Sequence, residues 1–329
     1  MPTPRLLTEA LEAPDRIATQ LSANRVAIAP IVQRLRATPP RFVVSAARGS
    51  SSHAARYGKY LIETRLGLFT AAAAPAVATL YKAPMKLDQA LFFTVSQSGR
   101  SPDLVVQTEA AKAAGAFTLA LVNDQDSPLA KASDAVLPLL AGPETSVAAT
   151  KSFLASLSAL AQLVGAWADD RPLSAGLERL PEALRIAART DWALPIEEPP
   201  SLFVVGRGLG LAIAAEGALK LKEVLGLHAE AYSAAEVLHG PVALVESGYP
   251  VLAFVQDDEA RPSMEETLAA VAAKGAVVTR VPTGAPALHP ALDLILEAQV
   301  FYPAVARAAV ARGIDPDHPR HLRKVTETL

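Results

Sequence analysis

An internal repeat constrains the fold of this chain more than any other feature of its sequence. A single shift of 160 residues, without a gap, aligns two stretches of the first half with two of the second. Residues 42–63 fall on residues 202–223, and both copies contain an apolar strand, a glycine-containing turn and an alanine-rich helix. Residues 91–122 fall on residues 251–282, and both contain a strand, a loop, a helix and a second strand. The chain is therefore predicted to hold two copies of one fold.

Proline and glycine mark the same helix boundaries in both copies. The alignment pairs Pro102 with Pro262 and Gly115 with Gly275. Proline fits the first turn of a helix, where N–H groups have no partner within the helix. Glycine readily adopts the left-handed conformation of the residue that ends a helix. The alignment therefore matches the predicted helix boundaries as well as the residue types.

Short runs of apolar and β-branched residues alternate with helical segments in both copies. Such strands are buried on both faces, which indicates a parallel sheet flanked by helices. We therefore predict an α/β protein of two doubly wound parallel-sheet domains related by internal duplication. We expect an N-terminal domain with leading helices over residues 1–170, a proline-rich linker over 171–200 and a C-terminal domain over 201–329.

The composition excludes several classes of protein. Hydrophobic residues make up 51% of the chain and charged residues 19%, which excludes global disorder. The net charge of -2 offers no broad basic surface for nucleic acid or an anionic membrane. The absence of cysteine excludes disulfides, thiolate metal sites and cysteine nucleophiles. Since the sequence has no signal-like segment and no long apolar run, we expect a cytoplasmic protein without membrane contact.

The two copies differ most in the loop after the second strand of the repeat. Residues 96–101 read SQSGRS, whereas the aligned residues 256–261 read QDDEAR. Hydroxyls, backbone N–H groups and a helix N-terminus can together hold an anion, so residues 96–101 are predicted to bind phosphate. The alternative is that these serines only cap the helix. The acidic copy would repel phosphate in either case.

A second group of hydroxyls follows the first strand of the same half, at Gly49, Ser50 and Ser51. Open α/β sheets bind their ligands outside the carboxyl ends of the strands. Both loops are expected at that edge of the sheet, so they would meet on one ligand.

Charged side chains recur on one face of a helix in the second half. Glu216, Lys220 and Glu223 follow the spacing i, i+4, i+7 and share a face, while Lys222 points elsewhere. The residues around them are apolar enough to bury this helix. One interpretation is an intrahelical ion pair, and the other is a proton-transfer pair whose proton affinities burial has altered.

His239 lies just before a Gly-Pro turn and is a candidate proton shuttle. The preceding histidine, His228, lies eleven residues earlier, a spacing that suits no zinc-binding pattern. We therefore predict no metal site.

These motifs resemble those of tandem sugar-isomerase (SIS) domain proteins, whose domains are flavodoxin-like. The resemblance is to the isomerase portion of the glutamine:fructose-6-phosphate amidotransferases and to the SIS-type glucosamine-6-phosphate deaminases, and it covers nearly the whole chain. The segments that carry it are GSS at 49–51, SQSGRS at 96–101, ETSVAATKSF at 144–153, EGALKLKE at 216–223, HAEAY at 228–232, EVLHGP at 236–241 and DHPRHLRKVT at 317–326.

The resemblance implies a sugar-phosphate site. The SQSGRS loop would hold the phosphate with help from the GSS turn, and Val147 would offer backbone contact to the sugar. Glu216 joins the set because it shares the helix face of the acid/base pair. The predicted substrate-binding residues are Gly49, Ser50, Ser51, Ser96, Gln97, Ser98, Ser101, Val147 and Glu216.

The resemblance also implies catalytic roles. Glu223 would move a proton between C1 and C2 of the sugar, with Lys220 as its partner. His239 would open the sugar ring, and it would come from the neighbouring subunit of a homodimer. Lys324 would form or support an imine with the open-chain sugar, which requires the tail to fold over the site. No cofactor is implied.

Some residues depart from the family pattern. The sequence shows no glutaminase domain ahead of its first SIS segment and no cysteine, so we expect that glutamine is not its ammonia donor. Arg100, Ser101 and Arg323 differ from the residues usual at their positions, and the exact sugar stays open.

The reaction that fits these residues is conversion of glucosamine 6-phosphate to fructose 6-phosphate and ammonia, by ring opening, proton transfer between C1 and C2, and loss of the amine. A plain aldose–ketose phosphate isomerase and a deglycase of fructosamine 6-phosphates are alternatives of the same class. A non-catalytic sugar-phosphate sensor is an alternative of another class, but it would have no use for the Lys220 and Glu223 pair.

Overall fold

A computed structural model describes residues 3–196 and 199–324. The chain divides into two compact units, each of which takes short segments from the other half of the sequence. The N-terminal unit comprises Asp15–Glu144, Lys151–Leu177 and Arg323–Leu329, and the C-terminal unit comprises Met1–Pro14, Thr145–Thr150 and Glu178–Leu322. The division into residues 1–170, 171–200 and 201–329 stays a prediction about where independently folding domains begin and end.

A five-stranded parallel sheet forms the centre of the N-terminal unit. Its strands are β1 (Phe42–Ala47), β2 (Thr70–Ala72), β3 (Ala90–Ser96), β4 (Phe117–Val122) and β5 (Ala135–Pro138). They lie in the order β2-β1-β3-β4-β5. Every residue of β3 is buried, as expected for a strand covered on both faces. The order reverses between β1 and β3, which creates the switch point where such sheets bind ligands.

The helices of the first half run between these strands and after them. They are α1 (Arg5–Ala37), α2 (Gly49–Leu66), α3 (Pro75–Thr79), α4 (Pro102–Ala113), α5 (Pro128–Ala132) and α6 (Lys151–Ala168). Helix α2 packs closely on α6 at Gly58. A Cβ at this position would lie 3.0 Å from the Leu160 side chain, so the lack of a side chain at Gly58 allows the close approach. The core between helices and sheet includes Val44, Ala46, Leu87, Ala90, Phe92, Leu104 and Ala111.

A four-stranded parallel sheet forms the centre of the C-terminal unit. Its strands are β6 (Leu202–Gly206), β7 (Ala229–Ser233), β8 (Pro250–Ala253) and β9 (Val277–Arg280), in the order β7-β6-β8-β9. The helices of the second half are α7 (Arg171–Ala188), α8 (Gly210–Leu225), α9 (Ala234–Val237), α10 (Arg261–Ala272) and α11 (Pro290–Ala311), with a 3₁₀ turn over Pro241–Leu244. The edge strand β9 contains no buried residue, so burial on both faces does not extend to it.

The structure confirms the duplicated doubly wound α/β fold. Strands β1, β3 and β4 correspond to β6, β8 and β9, and helices α2 and α4 correspond to α8 and α10. Gly115 and Gly275 have φ angles of 89° and 98°, a left-handed conformation that favours glycine in both copies. Pro102 and Pro262 lie in the first turns of α4 and α10.

Among the described residues, α11 is the single helix long and apolar enough to cross a membrane by length and composition. However, 78% of its most apolar window is buried inside the protein, as in a core helix. It packs against α8 and carries side chains that face the charged cluster of that helix.

Candidate active site

Two loops of the N-terminal unit lie at one edge of its sheet. Strands β1 and β3 are parallel neighbours, and Ala47 at the end of β1 pairs with Val95 near the end of β3. The turn that begins α2 and the loop 96–101 therefore both leave the carboxyl edge. The structure thus brings together the two hydroxyl-rich segments, with Gly49, Ser50 and Ser51 in the first turn of α2.

The loop 96–101 is a tight turn built around a glycine. The Ser96 hydroxyl accepts a hydrogen bond from the Gly99 N–H at 3.1 Å, which closes the turn. Gly99 has a φ of 62°, and a Cβ there would overlap the Ser127 side chain. A side chain at this position is excluded twice, by backbone conformation and by space. The sequence places glycine where the loop must bend sharply before α4.

Ser101 is the N-cap residue of α4, yet its side chain makes no capping hydrogen bond. The Ser98 hydroxyl accepts a bond from the Arg100 N–H at 3.3 Å, and this bond also lies within the loop. Helix capping therefore does not account for these serines. The hydroxyls and the dipole of α4 together present a surface suited to an anion. Arg100, one of the departures from the family pattern, pairs with Asp124 at 2.8 Å.

An ion pair that sequence reasoning missed joins the two loops. Arg48, the residue before α2, reaches Asp103 in the first turn of α4 with contacts of 2.7 and 2.8 Å. Asp103 is buried, so its charge needs this partner. The aligned residues of the second copy are Gly208 and Ser263. A signal was therefore present, since these two aligned positions carry opposite charges in the first copy alone.

The aligned loop in the C-terminal unit is occupied by its own side chains. Buried Gln256 donates hydrogen bonds from Nε2 to the Arg207 carbonyl at 2.7 Å and to Asp258 at 3.2 Å. Asp258 accepts the Ala260 N–H at 2.9 Å, and Asp257 pairs with Arg261 at 2.9 Å. Carboxylates thus take the position and the N–H group that an anion would use. This loop is unsuited to phosphate.

Helix α8 carries a charged cluster inside the C-terminal unit. Glu216 and Lys220 are each 1% exposed, while the Glu223 side chain is 21% exposed. The Lys220 ammonium forms ion pairs with both carboxylates, to Glu216 at 3.4 Å and more closely to Glu223. Lys222 is exposed on another face of the helix. The spacing seen in the sequence therefore corresponds to a three-membered network.

Opposing effects set the pKa of Lys220. Burial lowers the pKa of this ammonium, but the charges of Glu216 and Glu223 outweigh that effect and hold the pKa above its usual value. Lys220 is thus a protonated donor at neutral pH. It can orient and stabilise a carboxylate, and it cannot serve as a base.

Tyr302 on α11 completes this network, and sequence reasoning missed it. Its hydroxyl is buried and lies 3.1 Å from Oε1 of Glu216, to which it donates a hydrogen bond. Glu216 therefore has donors on both sides, whereas Glu223 keeps the more exposed carboxylate. Of the two acids, Glu223 is the one placed to meet a ligand.

An open cavity of about 680 Å³ lies beside Glu223 within the C-terminal unit. The end of α8 forms one wall, and the chain after α11 forms the other, with Ile314, His318, Arg320 and Leu322 among its lining residues. This cavity is large enough for a small metabolite. Its lining combines apolar side chains with charged ones.

Val147 lies in the segment Thr145–Thr150, which belongs to the C-terminal unit. Glu9 of α1 holds this segment by accepting the Thr145 N–H at 2.5 Å and the Ser146 N–H at 3.2 Å. The Glu9 carboxylate therefore fixes the two residues that precede Val147. The serine loops lie in the N-terminal unit.

The remaining predicted catalytic residues lie apart from the α8 cluster in sequence. His239 is exposed between α9 and the 3₁₀ turn, and among described residues its side chain makes no hydrogen bond or ion pair with that cluster. Lys324 belongs to the N-terminal unit, where it pairs with Glu144 at 3.2 Å. Val325 and Thr326, the end of the tail motif, lie outside the described residues.

Over residues 3–196 and 199–324, no three His, Asp or Glu side chains are placed to hold a metal ion together. The candidate groups are hydroxyls in the N-terminal unit, and an ammonium with two carboxylates on α8 in the C-terminal unit. Such groups can bind a phosphate and move protons.

The SIS domain family matches residues 40–166 and 196–281, more than half of the chain. This chain therefore belongs to the SIS domain family. The glutamine–fructose-6-phosphate aminotransferase (isomerizing) of Leifsonia xyli is 31% identical over 96% of this chain and 57% of its own length. That of Aeropyrum pernix is 35% identical over 84% of this chain and 49% of its own length. The chain thus spans about half the length of the curated relatives it matches.

Solved structures extend the likeness along the whole chain. A candidate phosphosugar isomerase from Silicibacter pomeroyi has a TM-score of 0.89 and 44% identity, and covers 95% of this chain and 100% of its own. Glucosamine-6-phosphate deaminase from Thermotoga maritima has a TM-score of 0.76 and 25% identity, over 96% of this chain and 100% of its own. The resemblance to SIS-type phosphosugar isomerases is confirmed.

Tyr302→Phe tests the network on α8. The buried Glu216 carboxylate loses a donor, so the free energy of unfolding should fall by about 1 to 3 kcal/mol. Glu216 would then hold Lys220 less firmly, and Lys220 would hold Glu223 less firmly. Turnover should therefore fall while KM changes little. Urea denaturation and steady-state kinetics measure both effects.

Tyr249→Phe is the matched control for that change. Its hydroxyl bonds to Ser201 at 3.1 Å, at the other side of the sheet from the α8 charges. It should lower stability without lowering turnover. Equal losses of turnover in both variants would show that the Tyr302 effect is general and not specific to the network.

Proposed function

We propose that this protein is a phosphosugar isomerase that deaminates glucosamine 6-phosphate, giving fructose 6-phosphate and ammonia with the uptake of one water. Support comes from the duplicated SIS fold and from the similarity to a glucosamine-6-phosphate deaminase structure. The observation that carries the proposal is the partly exposed Glu223 carboxylate held by a buried ammonium beside a cavity. We keep the cytoplasm as the expected location.

In this proposal Glu223 moves the proton between C1 and C2. A proton bound to carbon is removed only by a base fixed within contact distance, and the Lys220 ammonium fixes Glu223. Glu216 supports Lys220 from the buried side, which leaves Glu223 as the group facing the sugar. His239 opens the ring, and the proton transfer from C2 to C1 then leaves an imine at C2. The Lys324 amine adds to C2 and ammonia leaves, which gives an imine between Lys324 and the sugar. Water hydrolyses this imine to fructose 6-phosphate and frees Lys324.

The phosphate binds at the carboxyl edge of the N-terminal sheet. Ser96, Gln97, Ser98 and Ser101 supply the loop, and the α2 turn with Gly49, Ser50 and Ser51 supplies further donors. The uncommitted capping hydroxyl of Ser101 and the N-terminus of α4 support this assignment. Val147 would offer backbone contact to the sugar.

A second candidate, a deglycase of fructosamine 6-phosphates, is favoured by one observation. The cavity beside Glu223 is larger than an ammonia molecule requires and is lined by apolar and basic side chains. It leaves room for a substituent on the departing nitrogen. Plain aldose–ketose isomerisation needs the same residues, whereas a non-catalytic sensor needs only the phosphate loop.

Glu223→Gln is the decisive variant. It keeps the shape and hydrogen bonding of the side chain but removes the base, so turnover should fall by about 10² to 10⁴. Affinity for the sugar phosphate should change little, because the phosphate contacts lie in residues 96–101. A coupled assay for ammonia and fructose 6-phosphate, run beside calorimetric binding, measures both quantities.

Glu182→Gln is the control, since Glu182 is exposed and pairs with nearby Arg185 at 3.0 Å on the same helix. If Glu223→Gln turns over as fast as this control, Glu223 is an ion-pair partner and the base lies elsewhere. If the wild-type protein binds glucosamine 6-phosphate but converts neither it nor related phosphosugars, the sensor function replaces the enzyme.

Ser98→Ala tests the phosphate loop. Loss of one hydrogen bond to a charged group should weaken sugar-phosphate binding by about 10-fold to 100-fold. The matching change in the second copy, Asp258→Asn, should leave binding unchanged because that loop is filled by its own side chains. Titration with fructose 6-phosphate and with fructose separates phosphate recognition from sugar recognition. If Asp258→Asn weakens binding and Ser98→Ala does not, the phosphate binds at the loop of residues 256–261 and the assignment to residues 96–101 is wrong.

We also propose a homodimer in which His239 serves the partner's site. Its exposure and its lack of described bonds to the α8 cluster support this arrangement. Subunits carrying Glu223→Gln and His239→Ala, each inactive alone, should regain about a quarter of wild-type activity when co-expressed, because half of the dimers then hold one intact site. Absence of any recovery, in a mixture shown to contain heterodimers, would place His239 in its own subunit's site.

A further inference from the structure

A buried carboxylate in the N-terminal unit has no role in the proposed reaction so far. Glu144 lies in the loop before α6, and its side chain is fully buried. It accepts hydrogen bonds from the Ser152 N–H at 3.1 Å and from the Ser152 hydroxyl at 2.5 Å. Its Oε2 also pairs with the Lys324 ammonium at 3.2 Å. Two donors from Ser152 and one ammonium therefore surround this buried carboxylate.

The position of Glu144 suits a permanent negative charge. Ser152 is the second residue of α6, a helix of 18 residues, so the carboxylate lies at the positive end of a long helix dipole. A carboxylate at a helix N-terminus is stabilised by the helix N–H groups and dipole. Hence the partner for a lysine is provided by the fold of the N-terminal unit itself.

Lys324 is drawn inward compared with its neighbours. Its side chain is 25% exposed, whereas His321, Leu322 and Arg323 before it are exposed. Further upstream, within the C-terminal unit, Asp317 caps α1 by accepting the N–H groups of Arg5 and Leu6, each at 2.8 Å. The tail is thus held at specific residues, with an exposed stretch between them.

We propose that Glu144 is the positioning residue of Lys324 and docks the tail in the place where this lysine can react. The inference rests on the proposed function for its catalytic meaning, but the docking is a separate structural claim. A free lysine samples many rotamers, and holding its nitrogen in one place raises its effective concentration at C2 of the sugar. A carboxylate on the protein surface would hold the lysine nitrogen only weakly, because exposed ion pairs contribute little free energy.

Glu144→Gln tests the inference. The amide keeps an acceptor for the Ser152 N–H but loses the charge that holds Lys324. Turnover should fall at least tenfold with little change in KM, because the phosphate loop is untouched. Trapping with borohydride, which reduces the imine between Lys324 and the sugar, should yield less sugar bound to Lys324 by mass spectrometry.

Limited trypsin digestion provides a readout that does not depend on activity. An undocked tail should be cut faster after Arg320 and Arg323 in Glu144→Gln than in wild type. Lys324→Met removes the partner without altering the buried residue, and it should speed cleavage to the same extent. Glu182→Gln, an exposed change of the same kind, should behave as wild type.

The outcomes separate the two claims. Wild-type cleavage rates in both Glu144→Gln and Lys324→Met would overturn the docking. Faster cleavage of Glu144→Gln accompanied by an unchanged imine yield would overturn the positioning role of Glu144. If wild type traps no imine with any phosphosugar while both variants are cut faster, the docking stands and the catalytic role proposed for Lys324 fails.

Discussion

The parallel pairing of β1 with β3 is the constraint on which the rest of the N-terminal site depends. Parallel strands share a direction, so the segments that follow them leave the same edge of the sheet. Here that edge receives a glycine-centred loop and the first turn of α2, and the Arg48–Asp103 pair ties one to the other. A shift in the pairing of β1 with β3 would move the hydroxyls of the loop 96–101 away from those of the α2 turn, even if no residue were substituted.

The α8 cluster illustrates how burial and charge act together. Lys220 is as buried as a core leucine, which its charge permits only because two carboxylates pair with it, and one of them also accepts a hydrogen bond from Tyr302. The sequence left open whether this was an ion pair or a proton-transfer pair, and the structure shows that the first does not exclude the second. An ammonium bound to two acids fixes both, and the acid that is less buried remains able to meet a ligand.

Local sequence pattern predicted the fold, the hydroxyl-rich loops and the charged face of α8, because all of these depend on short-range spacing. Val147 and Lys324 became candidates through the family resemblance. Strand runs, the i, i+4, i+7 face and the paired glycines are all readable within one element. The contacts that were missed link residues far apart in sequence, by 55 residues for Arg48 and Asp103, 86 for Tyr302 and Glu216, and 180 for Lys324 and Glu144. Such pairs depend on which elements become neighbours, and periodicity does not report that.

The two copies differ in how far their aligned loops satisfy their own polar groups, and this difference supports the proposal of a single phosphate loop. In the second copy Gln256 and Asp258 satisfy the N–H and carbonyl groups around the turn from within the chain. A loop completed in this way gains rigidity and loses its capacity for an external anion, since any phosphate would have to displace a carboxylate already in place. The first copy leaves the capping hydroxyl of Ser101 uncommitted and supports its turn from outside, through Arg48 and Asp103. Binding capacity in this fold therefore follows from polar groups that the chain itself does not satisfy.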